Sequence, residues 1–179
     1  MEPKLVPAQR FLGAFNVMPN IKFESQEADE PVILVLRAHP VTQIPWIFNI
    51  FVGFIMLMIL DLILPNFLGP NQMIMLNIMV IVFLLSYGWL NFLLYYYNVG
   101  VITHKRVLDI DFYSILHREV SETRLNRVED ITSKTSGYFG SLFNYGTVFV
   151  QTAGAEVNIE FIDVPDPTNA VKIINQLQT

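Results

Sequence analysis

Cysteine is missing from this chain, and over one long stretch charge is almost missing too. The absence of cysteine excludes disulfides, thiolate nucleophiles and cysteine-ligated metals. Only 15% of the 179 residues are charged, where a soluble domain carries about a quarter. The deficit is local: from Trp46 to Tyr97 the one charged residue is Asp61. A basic excess is also lacking. The net charge of -5 argues against a nucleic-acid partner, since binding to a phosphate backbone requires a basic face, and none is expected. The opening Met1-Glu-Pro-Lys-Leu-Val-Pro has no basic segment leading into an apolar run, which predicts no cleaved signal peptide.

Signatures of catalysis are absent as well. There is no Gly-rich phosphate loop, no H-E-x-x-H, no G-x-S-x-G and no metal-spaced histidine cluster. His39, His104 and His117 are scattered, and His39 before Pro40 reads as an interfacial or capping residue. Asp109 and Asp111 share a strand face, expected to be the exposed one. The reading is a non-enzyme with no catalytic, cofactor-binding or metal-ligating residues.

What the chain does have is two long apolar runs. Residues 46–64 form a stretch that spans roughly 28 Å as a helix, close to the hydrocarbon thickness of a bilayer. A second run covers 73–97, and both are apolar around the whole helix. The intervening 65–72, Pro-Asn-Phe-Leu-Gly-Pro-Asn-Gln, is a turn short enough to make the helices antiparallel neighbours. It holds no lysine or arginine, whereas Lys22, Arg37 and His39 precede the hairpin and His104, Lys105 and Arg106 follow it. Cations stay preferentially in the cytoplasm. The expectation is therefore a multi-pass protein of the plasma (inner) membrane, the turn outside and both termini cytoplasmic. Asp61, four residues before Pro65, is expected at the outer interface. Asn49, Asn77 and Asn91 are expected to bond across the helix pair.

Beyond Tyr97 the period changes to two. Leu108, Ile110 and Phe112 alternate with Asp109 and Asp111, and Val157, Ile159 and Phe161 alternate with Asn158 and Glu160. Tyr145–Thr152 is β-branched and aromatic, joined to the next strand through Ala153-Gly154-Ala155. Tyr113-Ser114 predicts a turn into Ile115–Glu122, and Asn126–Ser133 predicts a further strand. Asp166 and Pro167 open a helix with Ala170, Ile173, Ile174 and Leu177 on one face. The pattern predicts about six short antiparallel strands and one closing helix, hence an α+β membrane protein. Its domain would be a small β-barrel or bent antiparallel sheet, with 98–179 as the cytoplasmic unit. Ahead of the hairpin, 31–45 holds the apolar run Pro31–Leu36, a strand that would make the hairpin an insertion near the domain's start. Residues 1–30 read as an N-terminal extension, either flexible or packed on the domain through Phe11 and Phe15. That extension carries an acidic run of Glu24, Glu27, Asp29 and Glu30.

These segments resemble a family. Val35-Leu-Arg-Ala-His-Pro40 lies just before the hairpin and Val101-Ile-Thr-His-Lys-Arg-Val-Leu108 just after it. Leu125–Ile131, Gly137-Tyr-Phe-Gly140 and Tyr145–Gly154 follow in order. Over roughly 31–178 the chain is similar to bacterial pleckstrin-homology (PH)-like domain membrane proteins of the YdbS/YdbT-like group. The resemblance implies a PH-type fold and carries over no catalytic residue.

Two surfaces invite functional readings. His104, Lys105 and Arg106, in the turn after the first strand, read as a solvated turn or as a contact for anionic headgroups. Gly137, Gly140 and Gly146 mark a long loop containing Tyr138, Phe139, Leu142, Phe143 and Tyr145. Those side chains read as core filling, a membrane-dipping tip or a partner patch. The function expected is a protein-interaction or scaffold module at the cytoplasmic face, with the lipid bilayer, other proteins or further copies of itself as partners. Headgroup binding is the alternative, although residues 97–179 hold seven Lys/Arg against ten Asp/Glu. A subunit of an oligomeric transport assembly is the third reading, since two helices alone enclose no pore.

Overall fold

The computed structural model describes residues 8–19, 23, 26–27, 29–114, 117–135, 137–153 and 158–178. They fall into two units, one from 43 to 94 and one that combines the chain on either side of it. The second unit begins with β1 (Ala8–Arg10), β2 (Phe15–Val17) and β3 (Val32–Leu36).

The apolar unit holds α1 (Ile44–Ile63) and most of α2 (Pro70–Tyr97), joined by a 3-10 turn at Leu64–Asn66. Both helices are long and apolar enough to cross a membrane. Their large side chains, among them Phe48, Phe51, Met58, Leu62, Met75 and Phe83, face outward rather than into protein. That is the reverse of a soluble core helix. Two glycines set the helix spacing: a Cβ on Gly53 would come 2.6 Å from Leu84, and one on Gly88 2.7 Å from Ile50. Across the pair, the Asn77 amide donates to Asp61 at 3.3 Å and the Asn49 amide to the Tyr87 hydroxyl at 3.4 Å. Asn91 departs from the expectation, because its amide bonds the Tyr87 carbonyl one turn back in its own helix.

The other unit continues with β4 (Val99–Thr103), β5 (Arg106–Ser114) and β6 (His117–Arg124). Then come β7 (Val128–Thr135), α3 (Gly137–Phe143), β8 (Tyr145–Thr152), β9 (Ile159–Pro165) and α4 (Pro167–Gln178). All pairings are antiparallel, in a six-stranded sheet β1-β2-β3-β4-β5-β6 and a three-stranded sheet β7-β8-β9. Among the described residues six strands, β4–β9, follow the hairpin as expected and β3 falls on the expected Pro31–Leu36 run; β1 and β2 are additions, and no closed barrel is seen. The break lies between β6 and β7, where a 3-10 turn at Leu125–Arg127 redirects the chain before the second sheet begins. The expected Ala153–Ala155 turn, the starts of the Glu156 and Ile115 strands, and Lys22 and Glu24 lie outside the described residues.

Strand β3 explains the connectivity. It lies between β2 and β4, so the hairpin is inserted between two paired strands, with Leu36 opposite Gly100. Its five apolar residues are buried throughout because both sheet faces are covered. On one face Ile33, Leu34, Leu36, Ile102 and Val107 join Val148, Val150, Phe161 and the buried side of α4, namely Ala170, Ile173 and Ile174. On the other, Val32, Val35, Val101 and Leu108 gather with Phe23. The N-terminal stretch accordingly contributes to the fold: Phe15 and Val17 are in the main core and Phe23 covers the second face.

Candidate functional site

The cationic turn is built by the register of β4 and β5. Thr103 ends β4, its hydroxyl oxygen accepts the Arg106 N–H at 3.0 Å and the Lys105 N–H at 3.2 Å, and the turn closes. This aims Arg106 at Glu30, which is only 1% exposed. The guanidinium meets that carboxylate in a two-pronged pair, Nε to Oε1 and Nη2 to Oε2, each 2.8 Å. Its third nitrogen reaches Glu122 at 2.8 Å, and the ring of Phe23 lies 5.6 Å away. The Thr103 hydroxyl donates to Glu30 at 2.7 Å. Bonding to Arg106 pulls the Glu30 carboxyl down to about 2, overcoming its burial. Lys105 pairs with Glu27, which lowers the carboxyl and raises the ammonium. His104 is exposed. Of the three cations expected to face headgroups, two are therefore answered by carboxylates of the chain itself. The acidic run that answers them lies 76 residues earlier.

The aromatic segment is a short helix rather than a loop. Gly137 takes the left-handed φ of +66° that starts it, and Asn144, at +54°, caps its end. Gly140 is its seat: a Cβ there would lie 3.0 Å from the Tyr145 carbonyl oxygen and 3.3 Å from Thr135. Because a glycine makes the close contact, the large side chains of α3 point elsewhere. Tyr138 is 78% exposed, Phe139 64%, Leu142 61% and Phe143 39%. Core filling is thereby ruled out for this group. Tyr145, the fifth residue of the expected patch, is half-buried and starts β8.

Tyr145 connects this helix to the point where the chain turns into α1. The His39 ring stacks on Tyr145 with centroids 5.7 Å apart, and the His39 N–H donates to the Asp163 carbonyl at 2.7 Å. Imidazole Nδ1 accepts the Val41 N–H at 3.1 Å, so His39 does serve as a cap. Burial pushes its pKa down. Asp163 itself takes a φ of +54°, and the next joint is tied by the Asp166 N–H bonding the Asn144 carbonyl at 2.9 Å.

A third feature escaped the sequence reading. Asp109 is buried, at 8% exposure, rather than on a solvated face. It pairs with Gly100, whose missing Cβ would lie 2.3 Å from the ring of Phe161, so that side of the sheet faces β9. Burial, then the neighbouring Asp111 charge, raises the Asp109 carboxyl to about 7. Asp111 rises through its own burial and through Glu119, its cross-strand partner. Among the described residues no group of three His, Cys, Asp or Glu side chains is disposed to hold a metal ion.

A family model described as "Bacterial PH domain" matches residues 43–178. The chain belongs to the bacterial PH-domain family. Among solved structures it is similar to a DUF1696 family protein with a pleckstrin-homology domain from Shewanella loihica PV-4. The identity is 15%, the TM-score 0.36, and the alignment covers 46% of this chain and 71% of that one. No curated protein matches. The PH-family match begins after β3, yet β3 is the strand on which β4 pairs and its residues fill both cores. This PH-domain chain therefore builds part of its sheet from sequence upstream of the family match.

Proposed function

We propose that this bacterial PH-domain chain is a non-enzymatic, membrane-anchored interaction module that holds a protein partner at the cytoplasmic face of the inner membrane. The anchor is the α1–α2 hairpin. Its outward Phe, Met, Ile and Leu side chains are suited to hydrocarbon and ill suited to water. Excess cations on the flanks, at Lys22, Arg37, Lys105 and Arg106, favour the cytoplasm for the domain.

The observation that carries the choice of protein over headgroup is the pairing of Lys105 and Arg106 with Glu27, Glu30 and Glu122. A headgroup phosphate would have to displace a buried, two-pronged carboxylate to reach Arg106. The outer strand of the larger sheet, β6, offers a different surface. One edge of it carries no partner strand among the described residues, and Val120 on it is exposed.

The test is the lipid that the full chain retains on extraction from membranes into nanodiscs, measured by mass spectrometry. Retained lipid should match the bulk ratio of anionic to zwitterionic species, and a photo-crosslinker at Val120 should yield protease-sensitive adducts. Enrichment of anionic lipid that disappears in His104→Ala and Lys105→Ala would support the headgroup reading instead.

A further inference from the structure

The four outward side chains of α3 have no role in the core, no charge among them, and a definite place in the fold. Residues 137–144 carry no charge at all. The helix is seated through Gly140 against Tyr145, Tyr145 stacks on His39, and the apolar segment long enough to cross a membrane starts at Pro40. Thus α3 lies on the side of the domain from which the chain leaves toward α1. We propose that α3 is an interfacial foot: Tyr138, Phe139, Leu142 and Phe143 insert into the interfacial region of the bilayer that the hairpin spans. The inference rests on the reading of α1 and α2 as membrane spans.

The chemistry fits a bilayer better than a protein. Seven residues with four apolar side chains form a patch far smaller than the roughly 800 Å² per partner that a stable protein interface buries. Tyr and Phe are the residues that settle at the depth of the headgroups and first acyl carbons. A weak insertion suffices, because the covalent connection through His39 and Pro40 keeps the helix within reach of the surface and raises its effective concentration there. No cation is needed, which agrees with a chain whose cationic turn is engaged elsewhere.

The absence of native cysteine makes the test direct. Single cysteines replace Phe139, Leu142, Ile55 of α1 and the exposed Glu129 of β7, and the full chain is labelled with bimane in phosphatidylcholine nanodiscs. Labels at 139 and 142 should lose emission when the lipids are brominated and be shielded from aqueous iodide, as at 55, while 129 shows the opposite. If 139 and 142 respond to iodide like 129 while 55 is quenched by bromolipid, the foot is wrong and the spanning hairpin stands. If 55 also responds to iodide, the hairpin reading falls and takes the foot with it. Shielding at 139 from both quenchers would mean that protein covers α3, and would likewise overturn the proposal.

Discussion

The cationic turn and α3 are the two surfaces that the sequence marks for function, and the fold treats them in opposite ways. The turn's cations are answered by carboxylates of the chain itself, Lys105 by Glu27 at the surface and Arg106 by the buried Glu30. The aromatics of α3 are pushed outward by a glycine seat. Long-range charge can be satisfied inside one chain, whereas an apolar side chain outside the core is satisfied only by another apolar phase. The charges of Lys105 and Arg106 are thus met within the domain, while the apolar side chains of α3 are left exposed.

Substitutions can break that contrast. Glu30→Ala should have the largest effect, destabilising the chain by about 3–5 kcal/mol, because it strips the largely buried Arg106 of its two-pronged partner and leaves the exposed Glu122 as its partner carboxylate. Unfolding in detergent measures it. The same pair predicts an acid limb. Its carboxyl is lower when folded than unfolded, so its contribution is complete above about 4.5 and fades as the pH falls toward about 2. Asp109→Asn should act in the opposite direction. Its folded carboxyl lies near 7, above the unfolded value of 3.8, so ionisation opposes folding as the pH rises through that window. The variant should be more stable than the parent by about 2–4 kcal/mol at pH 8. The gap should close by about pH 4, as parallel melts at the two pH values will show. Gly100→Ala, which drives a methyl group into the ring of Phe161, should lower stability by about 1–3 kcal/mol in the same assay. Phe139→Ser and Leu142→Ser should stay within about 0.5 kcal/mol of the parent in detergent. A large loss there would mean that α3 serves the core after all, and the contrast would vanish.

The legible parts of the sequence were those with local physical causes. The period-two pattern over Arg106–Phe112, the β-branched Tyr145–Thr152 and the Asp166-Pro167 helix start depend on neighbours within a few residues, and β5, β8 and α4 stand there. What stayed hidden depends on distant chain. The pairing of Glu30 with Arg106 joins segments on opposite sides of the hairpin. Alternation puts Asp109 on one of two strand faces without saying that both are covered, and here both are. Seven residues of α3 fall short of two helical turns, and glycines at its start and middle give the signature of a loop. Closure into a barrel was likewise beyond local pattern, since the break at Leu125–Arg127 depends on where β6 and β7 can find partners.

The central claim is that the hairpin crosses the inner membrane and leaves the PH domain on the cytoplasmic face. Single cysteines at Phe67, in the turn between the helices, and at Glu129, in the domain, test it with a membrane-impermeant maleimide on spheroplasts. The account predicts labelling at 67 in intact spheroplasts and at 129 only after lysis. Labelling at 129 before lysis, or at neither site until lysis, would contradict it.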